Sequence, residues 1–150
     1  MSGAPSQLTD HLGYWLRAVS NRVSQDFAAR LAAEGVSVAE WVMLRSLLEA
    51  ALPPSRLAET MGLTRGAITK LADRLIARGL IARRASEADG RAQTLALTRK
   101  GAALVPRLAA IADANDAAFF SSLSAADQRV LLRLMQELST HHGITAAPTE

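Results

Sequence analysis

The sequence predicts a mainly α fold of the α+β type, helices with one small β-hairpin, and three observations lead there. Apolar residues recur three or four apart along most of the 150 residues, the spacing of helices that bury one face. Aromatic residues make up only 4% of the chain, so apolar surface comes chiefly from alanine and leucine, which are strong helix formers. Between Pro54 and Gly101 the pattern changes. Two short helices flank Gly62, and two short strands then flank Ser86-Glu87-Ala88-Asp89-Gly90-Arg91. Helix, glycine turn, basic helix and arginine-tipped hairpin, in that order, make a winged helix-turn-helix over residues 54–97.

The first helix is expected over residues 7–34, where Leu8, Leu12, Trp15, Val19, Val23, Phe27 and Leu31 form one apolar stripe and Glu34-Gly35 ends it. Ser37 opens the second helix, with Glu40 three residues on to complete a capping box. Val38, Trp41, Val42, Leu44, Leu47 and Leu48 leave that helix little polar surface, which places it at the centre of the fold. Leu52-Pro53-Pro54 breaks it, and Pro54 suits the first turn of the next helix, where a missing N–H costs nothing.

Ser55 to Met61 form the first helix of the motif, and Gly62 supplies its left-handed turn. Ala58 must be small because the second helix crosses above it. Ile68, with Leu57, Met61 and Leu71, fills the wedge between the two. That second helix starts at Thr64 and stops near Gly79. After the hairpin, Thr98 opens a long helix to about Phe120, with Pro106 inside it either bending it or marking a late start. Ser121-Ser122-Leu123-Ser124 is a turn, and Ser124 and Asp127 cap a last helix whose apolar face is Val130, Leu131, Leu134, Met135 and Leu138. His142-Gly143 ends it, and the tail to Glu150 is expected to lack order.

Residues 7–34 and 98–142 therefore offer apolar stripes that the winged region, residues 37–97, is too small to cover. Either they pack on each other within one chain or they interlock with the same helices of a second chain. Helix-turn-helix proteins that read two half-sites as symmetric dimers favour the second arrangement, and residues 7–34 and 98–142 are read as dimerisation helices.

Charge supports the motif. Pro54 to Gly101 holds ten basic and four acidic residues, a balance of +6, while the whole chain carries +3, so everything outside sums to −3. One surface thus faces a polyanion. With no cysteine, disulfides, thiolate metal sites and cysteine-based redox sensing are excluded. The first residues show no signal peptide, and no apolar run approaches the ~20 residues of a membrane span, so a cytoplasmic protein with no membrane partner is expected. No His-Glu-x-x-His, Gly-x-Ser-x-Gly or Gly-x-x-x-x-Gly-Lys pattern occurs, so neither an enzyme, a catalytic residue nor a cofactor is expected.

The exposed face of the second motif helix carries Thr64, Arg65, Gly66, Thr69, Lys70 and Arg74. Its first turn would enter the major groove of double-stranded DNA. There Arg65 meets guanine, Thr69 a base edge or a thymine methyl, and Gly66 allows close approach. Lys70 and Arg74 hold phosphates, fixing register without reading sequence. Ser55 and Arg56, at the start of the preceding helix, complete the set. Arg91 at the wing tip would enter a narrow minor groove, with Asp89 pinning its guanidinium or closing the turn. Two other classes remain: an architectural or ligand-independent DNA-binding protein, and a winged module used for protein contacts.

These residues resemble a known family. Asp89-Gly90-Arg91, Leu95, Leu97-Thr98 and Gly101 are similar to the wing signature of the multiple-antibiotic-resistance regulator (MarR) family. Leu63 to Thr69 and Arg78-Gly79-Leu80-Ile81 resemble that family's recognition helix and its exit. The likeness covers nearly the whole chain. It implies a homodimeric transcription regulator, usually a repressor, on a pseudo-palindromic operator, often released by a small aromatic or phenolic molecule. Carried onto this sequence, the effector pocket draws on His11, Trp15, Trp41 and Arg45, although both tryptophans also lie on apolar stripes and suit a core. The family's oxidation-sensing branch needs a cysteine that this chain lacks. Its zinc-sensing branch needs a cluster that His11 and the adjacent His141-His142 do not make, so no metal site is expected.

Overall fold

In the computed structural model, which describes residues 3–85 and 92–150, the first helix, α1 (Leu12–Ala32), starts later than its apolar stripe. The Gln7 N–H donates to Asp10 Oδ2 at 2.8 Å around a single 3-10 turn, Leu8–Asp10, and His11 is extended. Asp10 competes with the helix for backbone donors, the habit of aspartate that favours caps over helix interiors. The Trp15 indole N–H then ties the turn to the helix by donating to the Thr9 carbonyl at 3.0 Å.

Ser37 caps α2 (Val38–Ser46) with the expected reciprocal box, Glu40 N–H to Ser37 Oγ at 3.1 Å and Ser37 N–H to Glu40 Oε1 at 3.0 Å. Met43, Leu44 and the following Leu47 are buried against α1 and the helices after it, so α2 is central as its composition implies. Pro54 occupies the first turn of α3 (Pro54–Met61), and Thr64 caps α4 (Arg65–Ala77). Strands β1 (Ile81–Ala85) and β2 (Gln93–Leu97) pair antiparallel with Ile81 opposite Leu97. Leu52, read only as part of a helix breaker, also joins this sheet. Its N–H and carbonyl exchange hydrogen bonds with Leu95 at 3.0 and 2.8 Å, anchoring the sheet to the α2–α3 linker.

Thr98 caps α5 (Arg99–Phe120), which runs unbroken through Pro106, so the late start does not occur. Gly101 explains why this helix can begin here. A Cβ at that position would overlap the Leu80 carbonyl, while the Thr98 hydroxyl donates to the Gly79 carbonyl at 2.6 Å and Lys100 Nζ to the Arg78 carbonyl at 3.0 Å. Helix α5 lies antiparallel along α1. Arg107 pairs with Glu34 at 2.8 Å, and further along the buried Asn115 donates to the Val23 carbonyl at 3.3 Å.

The core is Leu31, Met43, Leu44, Leu57, Met61, Ile68, Leu75, Leu80, Ile81, Leu95, Val105 and Leu108, all within the winged region and the helix ends that touch it. Helix α6 (Ala125–His141), capped by Ser124 Oγ accepting from the Asp127 N–H, contributes no buried residue. Leu12 at 89%, Trp15 at 52% and Leu138 at 54% exposure show that the stripes of α1 and α6 do not cover each other within one chain. The tail does find a place. After Gly143 (φ +62) the chain returns to α3, where the Ala147 N–H donates to the Thr60 carbonyl at 2.9 Å and Ala146 lies against Gly62.

Candidate nucleic-acid interface

Gly62, at φ +61 and ψ 32, ends α3 in the left-handed conformation, and its N–H still reaches the Ala58 and Glu59 carbonyls. The Leu63 N–H follows to the Ala58 carbonyl at 3.0 Å, which fixes the angle at which α4 leaves. Thr64 Oγ1 accepts the Ala67 N–H at 3.1 Å, satisfying one of the free donors of the first turn. Ile68, Leu71, Ala72 and Leu75 then turn inward and are buried. The opposite face, Arg65, Gly66, Thr69, Lys70, Asp73 and Arg74, is exposed. The sequence therefore folds to present the residue set expected to meet DNA.

Acids and bases are unevenly matched around this face. Asp73 is held by Arg83 of β1 at 2.7 Å. Arg78, counted by sequence toward the basic surface, turns back instead: its guanidinium donates to the Gly35 carbonyl at 2.7 Å and lies 3.8 Å from the buried Glu40. Arg78 and Arg83 are structural, a role their positive charge alone did not reveal. Arg56, Arg65, Lys70 and Arg74 enter no ion pair among the described residues. Ser55 and Arg56 are exposed at the start of α3, where with Leu52, Pro53 and Glu59 they line a shallow groove of about 360 Å³.

Gly66 lies on the exposed face. A Cβ added there would meet only Thr64 Oγ1, at 3.9 Å, so nothing inside the protein requires a glycine. Helix interiors disfavour glycine, and its presence fits a close approach from outside. Thr69 Oγ1 donates to the Arg65 carbonyl at 3.0 Å, a bond that sequence spacing alone does not announce. Asp89 and Arg91 of the wing tip lie outside the described residues.

The four residues expected at an effector pocket fall into two pairs. His11 and Trp15 sit at the start of α1: His11 Nδ1 lies 3.2 Å from the Leu8 carbonyl and its Nε2 3.3 Å from Ser6 Oγ. Trp15 stacks edge-on with Tyr14 and is half-exposed, not core. Trp41 is half-buried against the core, and Arg45, one turn on, pairs with Glu49 at 3.5 Å. Among the described residues no hydrogen bond, ion pair or ring contact joins the α1 pair to the α2 pair. The hollow that does form between α1 and α5, about 190 Å³, is lined by Val23, Ser24, Phe27, Ala112, Asn115 and Asp116.

Comparison with known proteins agrees with this geometry. A family model described as MarR family matches residues 34–92. The HTH-type transcriptional repressor Rv2887 of Mycobacterium tuberculosis is 32% identical over 130 residues, covering 86% of this chain and 94% of that protein. Its crystal structure, a MarR family protein in complex with salicylic acid, superposes with a TM-score of 0.69 over 91% of this chain and 97% of that one, at 32% identity. A probable transcriptional regulator from Pseudomonas aeruginosa gives 0.76 at 28% identity, covering 88% of this chain and 99% of that one. Wild-type MarR of E. coli gives 0.74 at 22% identity over 85% and 96%, a likeness of fold.

Proposed function

The chain belongs to the MarR family of transcription regulators, and we propose that it is a homodimeric, sequence-specific repressor released from its operator by a small aromatic acid. The observation that carries the DNA reading is the outer face of α4. Arg65, Lys70 and Arg74 stand exposed around Gly66 without a carboxylate partner among the described residues. Such a face, opening on the free N–H groups of a helix N-terminus, is complementary to phosphate and to the acceptor edge of guanine. In this reading residues 37–97 are the DNA-binding region. Ser55, Arg56, Thr64, Lys70 and Arg74 position the backbone, Arg65 and Thr69 read bases, and Asp89 and Arg91 serve the minor groove. The protein acts in the cytoplasm, where its operator lies.

Dimerisation is supported by the uncovered apolar faces of α1 and α6, with residues 7–34 and 98–142 forming the interface. The pseudo-palindrome of the operator follows from the two-fold axis. Ligand release is supported by the repressor relative, crystallised with salicylic acid and with p-aminosalicylic acid, both aromatic carboxylates. Trp15 and Arg45 would stack on and pair with such a molecule, flanked by His11 and Trp41. The Arg45–Glu49 pair is an exposed i,i+4 contact, weak enough to exchange partners.

The test is titration of fluorescent cognate and random duplexes at two salt concentrations, with and without salicylate. The cognate duplex, enriched from a random pool by the protein itself, should bind at least ~10³-fold more tightly. Salicylate should weaken it by about 5- to 150-fold, the usual range of allosteric coupling. Equal affinity for both duplexes would leave an architectural DNA protein, and indifference to a panel of aromatic acids would remove the effector.

A further inference from the structure

Thr69 stands one turn beyond Arg65 on the exposed face of α4, and its hydroxyl is already committed, donating to the Arg65 carbonyl at 3.0 Å. A threonine hydroxyl has a single proton. Bound in this way it has none for the acceptors that guanine and thymine show in the major groove. The same bond fixes χ1, because turning Oγ1 back along the helix assigns the γ-methyl to another staggered position. Thr69 is exposed, and three residues near it on this face are small or already engaged. Gly66 has no side chain, Thr64 Oγ1 is held by the Ala67 N–H, and Asp73 is held by Arg83.

We infer that Thr69 reads thymine, its γ-methyl packing against the 5-methyl of a thymine that lies within two base pairs of the guanine contacted by Arg65. The spacing follows from two rises. Four helical residues advance ~6 Å along α4, and successive base pairs are ~3.4 Å apart. A methyl is a weak reader in water but a selective one in the major groove, where only thymine offers an apolar group. The inference rests on the reading of α4 as the recognition helix.

The wild-type protein is first used to enrich duplexes from a random-sequence pool, and Arg65→Ala identifies the guanine by lost discrimination. Each thymine of one half-site is then replaced in turn by deoxyuridine, which removes the 5-methyl and nothing else. One position within two base pairs of that guanine should lose affinity about fourfold, the worth of one buried methyl. Thr69→Val, which keeps a methyl and loses the hydroxyl, should bind within about twofold of wild type and keep the deoxyuridine penalty. Thr69→Ser should lose about fourfold on the thymine duplex and be indifferent to deoxyuridine. A loss in the valine variant with the serine variant at wild-type affinity would make the hydroxyl the reader and overturn the inference. So would an enriched consensus with no deoxyuridine-sensitive position. A pool that fails to enrich would overturn the recognition-helix reading itself, and this inference with it.

Discussion

Replacing Gly66 by alanine should move folding stability and DNA affinity in opposite directions. Gly66 is the second residue of α4, is exposed, and has a backbone that any residue tolerates. The new Cβ would meet only Thr64 Oγ1 at 3.9 Å, ordinary van der Waals contact, so the change introduces no strain. Glycine costs a helix interior roughly 0.5–1 kcal/mol relative to alanine. In a chain of this length that corresponds to a rise in Tm of about 1–4 °C. The added methyl, however, sits between Arg65 and Thr69 and would hold the helix away from the base edges. Losing one well-made base contact costs ~1–3 kcal/mol, a fall in operator affinity of about 5- to 150-fold.

Scanning calorimetry and duplex titration on the same preparation measure the two signs independently. A fall in Tm would mean that the glycine has an intramolecular purpose, contrary to the open space around it. Wild-type affinity in the alanine variant would mean that α4 does not approach DNA by its N-terminal half. A general loss of folding cannot imitate the expected result, because it would lower both quantities together.

Three further outcomes follow from the same geometry. Arg65→Ala should flatten discrimination at one base pair, whereas Lys70→Ala and Arg74→Ala should weaken all duplexes alike and make the salt slope shallower by about one each; identical profiles in single-base variant panels at two salt concentrations would end that division of labour. Leu134→Asp, on the exposed face of α6, should yield monomers in sedimentation equilibrium while far-ultraviolet dichroism stays native, since α6 buries nothing within its own chain; an unchanged dimer would place the interface elsewhere. Gly101→Ala should destabilise by ~1–3 kcal/mol in denaturant melts, because its Cβ would overlap the Leu80 carbonyl where strand, loop and α5 converge; a neutral result would mean that this junction gives way easily.

How much of this was legible in the sequence depended on whether the determining interaction was local. Ser37 and Glu40, Thr64, Thr98 and Ser124 act within three residues of themselves, and each cap stands where spacing placed it. Gly62 and Pro54 were equally readable, since a backbone conformation and a missing N–H belong to one residue. The misreadings were all tertiary or competitive. Leu52 pairs with Leu95, 43 residues away, and no local pattern announces that bridge. Asp10 captures the Gln7 N–H and breaks a stripe that periodicity alone continues. Arg78 is indistinguishable in sequence from Arg74, yet it is drawn inward because Gly35 offers a carbonyl and Glu40 is buried beside it. The tail was expected to lack order as a chain terminus, but one backbone donor at Ala147 finds the Thr60 carbonyl at the end of α3. Within the candidate interface the exposed positions of α4 were legible. The commitment of the Thr69 hydroxyl was not, because it depends on a rotamer.

The folded chain leaves two kinds of surface unsatisfied, and their separation accounts for the architecture. Six ion pairs form among the described residues, and all involve arginines other than Arg56, Arg65 and Arg74. The acids neutralise the scaffold and leave the α3–α4 face cationic. Exposed charges repel one another only weakly in water, so that face is tolerable without DNA. The apolar faces are different. Leu12, Leu16, Val130, Leu132, Leu134 and Leu138 all stand open, and burying each leucine-sized side chain contributes roughly 1.5–3 kcal/mol. In the proposed dimer a second copy of the chain would supply a complementary apolar surface at no cost in new sequence, and two-fold symmetry would then duplicate the cationic face as well. One α4 would contact too few phosphates and bases for a tight site, whereas two related by an axis would meet two half-sites at once. Displacing either copy of that dimer relative to the other would disturb both contacts, so a ligand lodged near the α1 and α2 residues would need to shift the pair only slightly to weaken the whole grip.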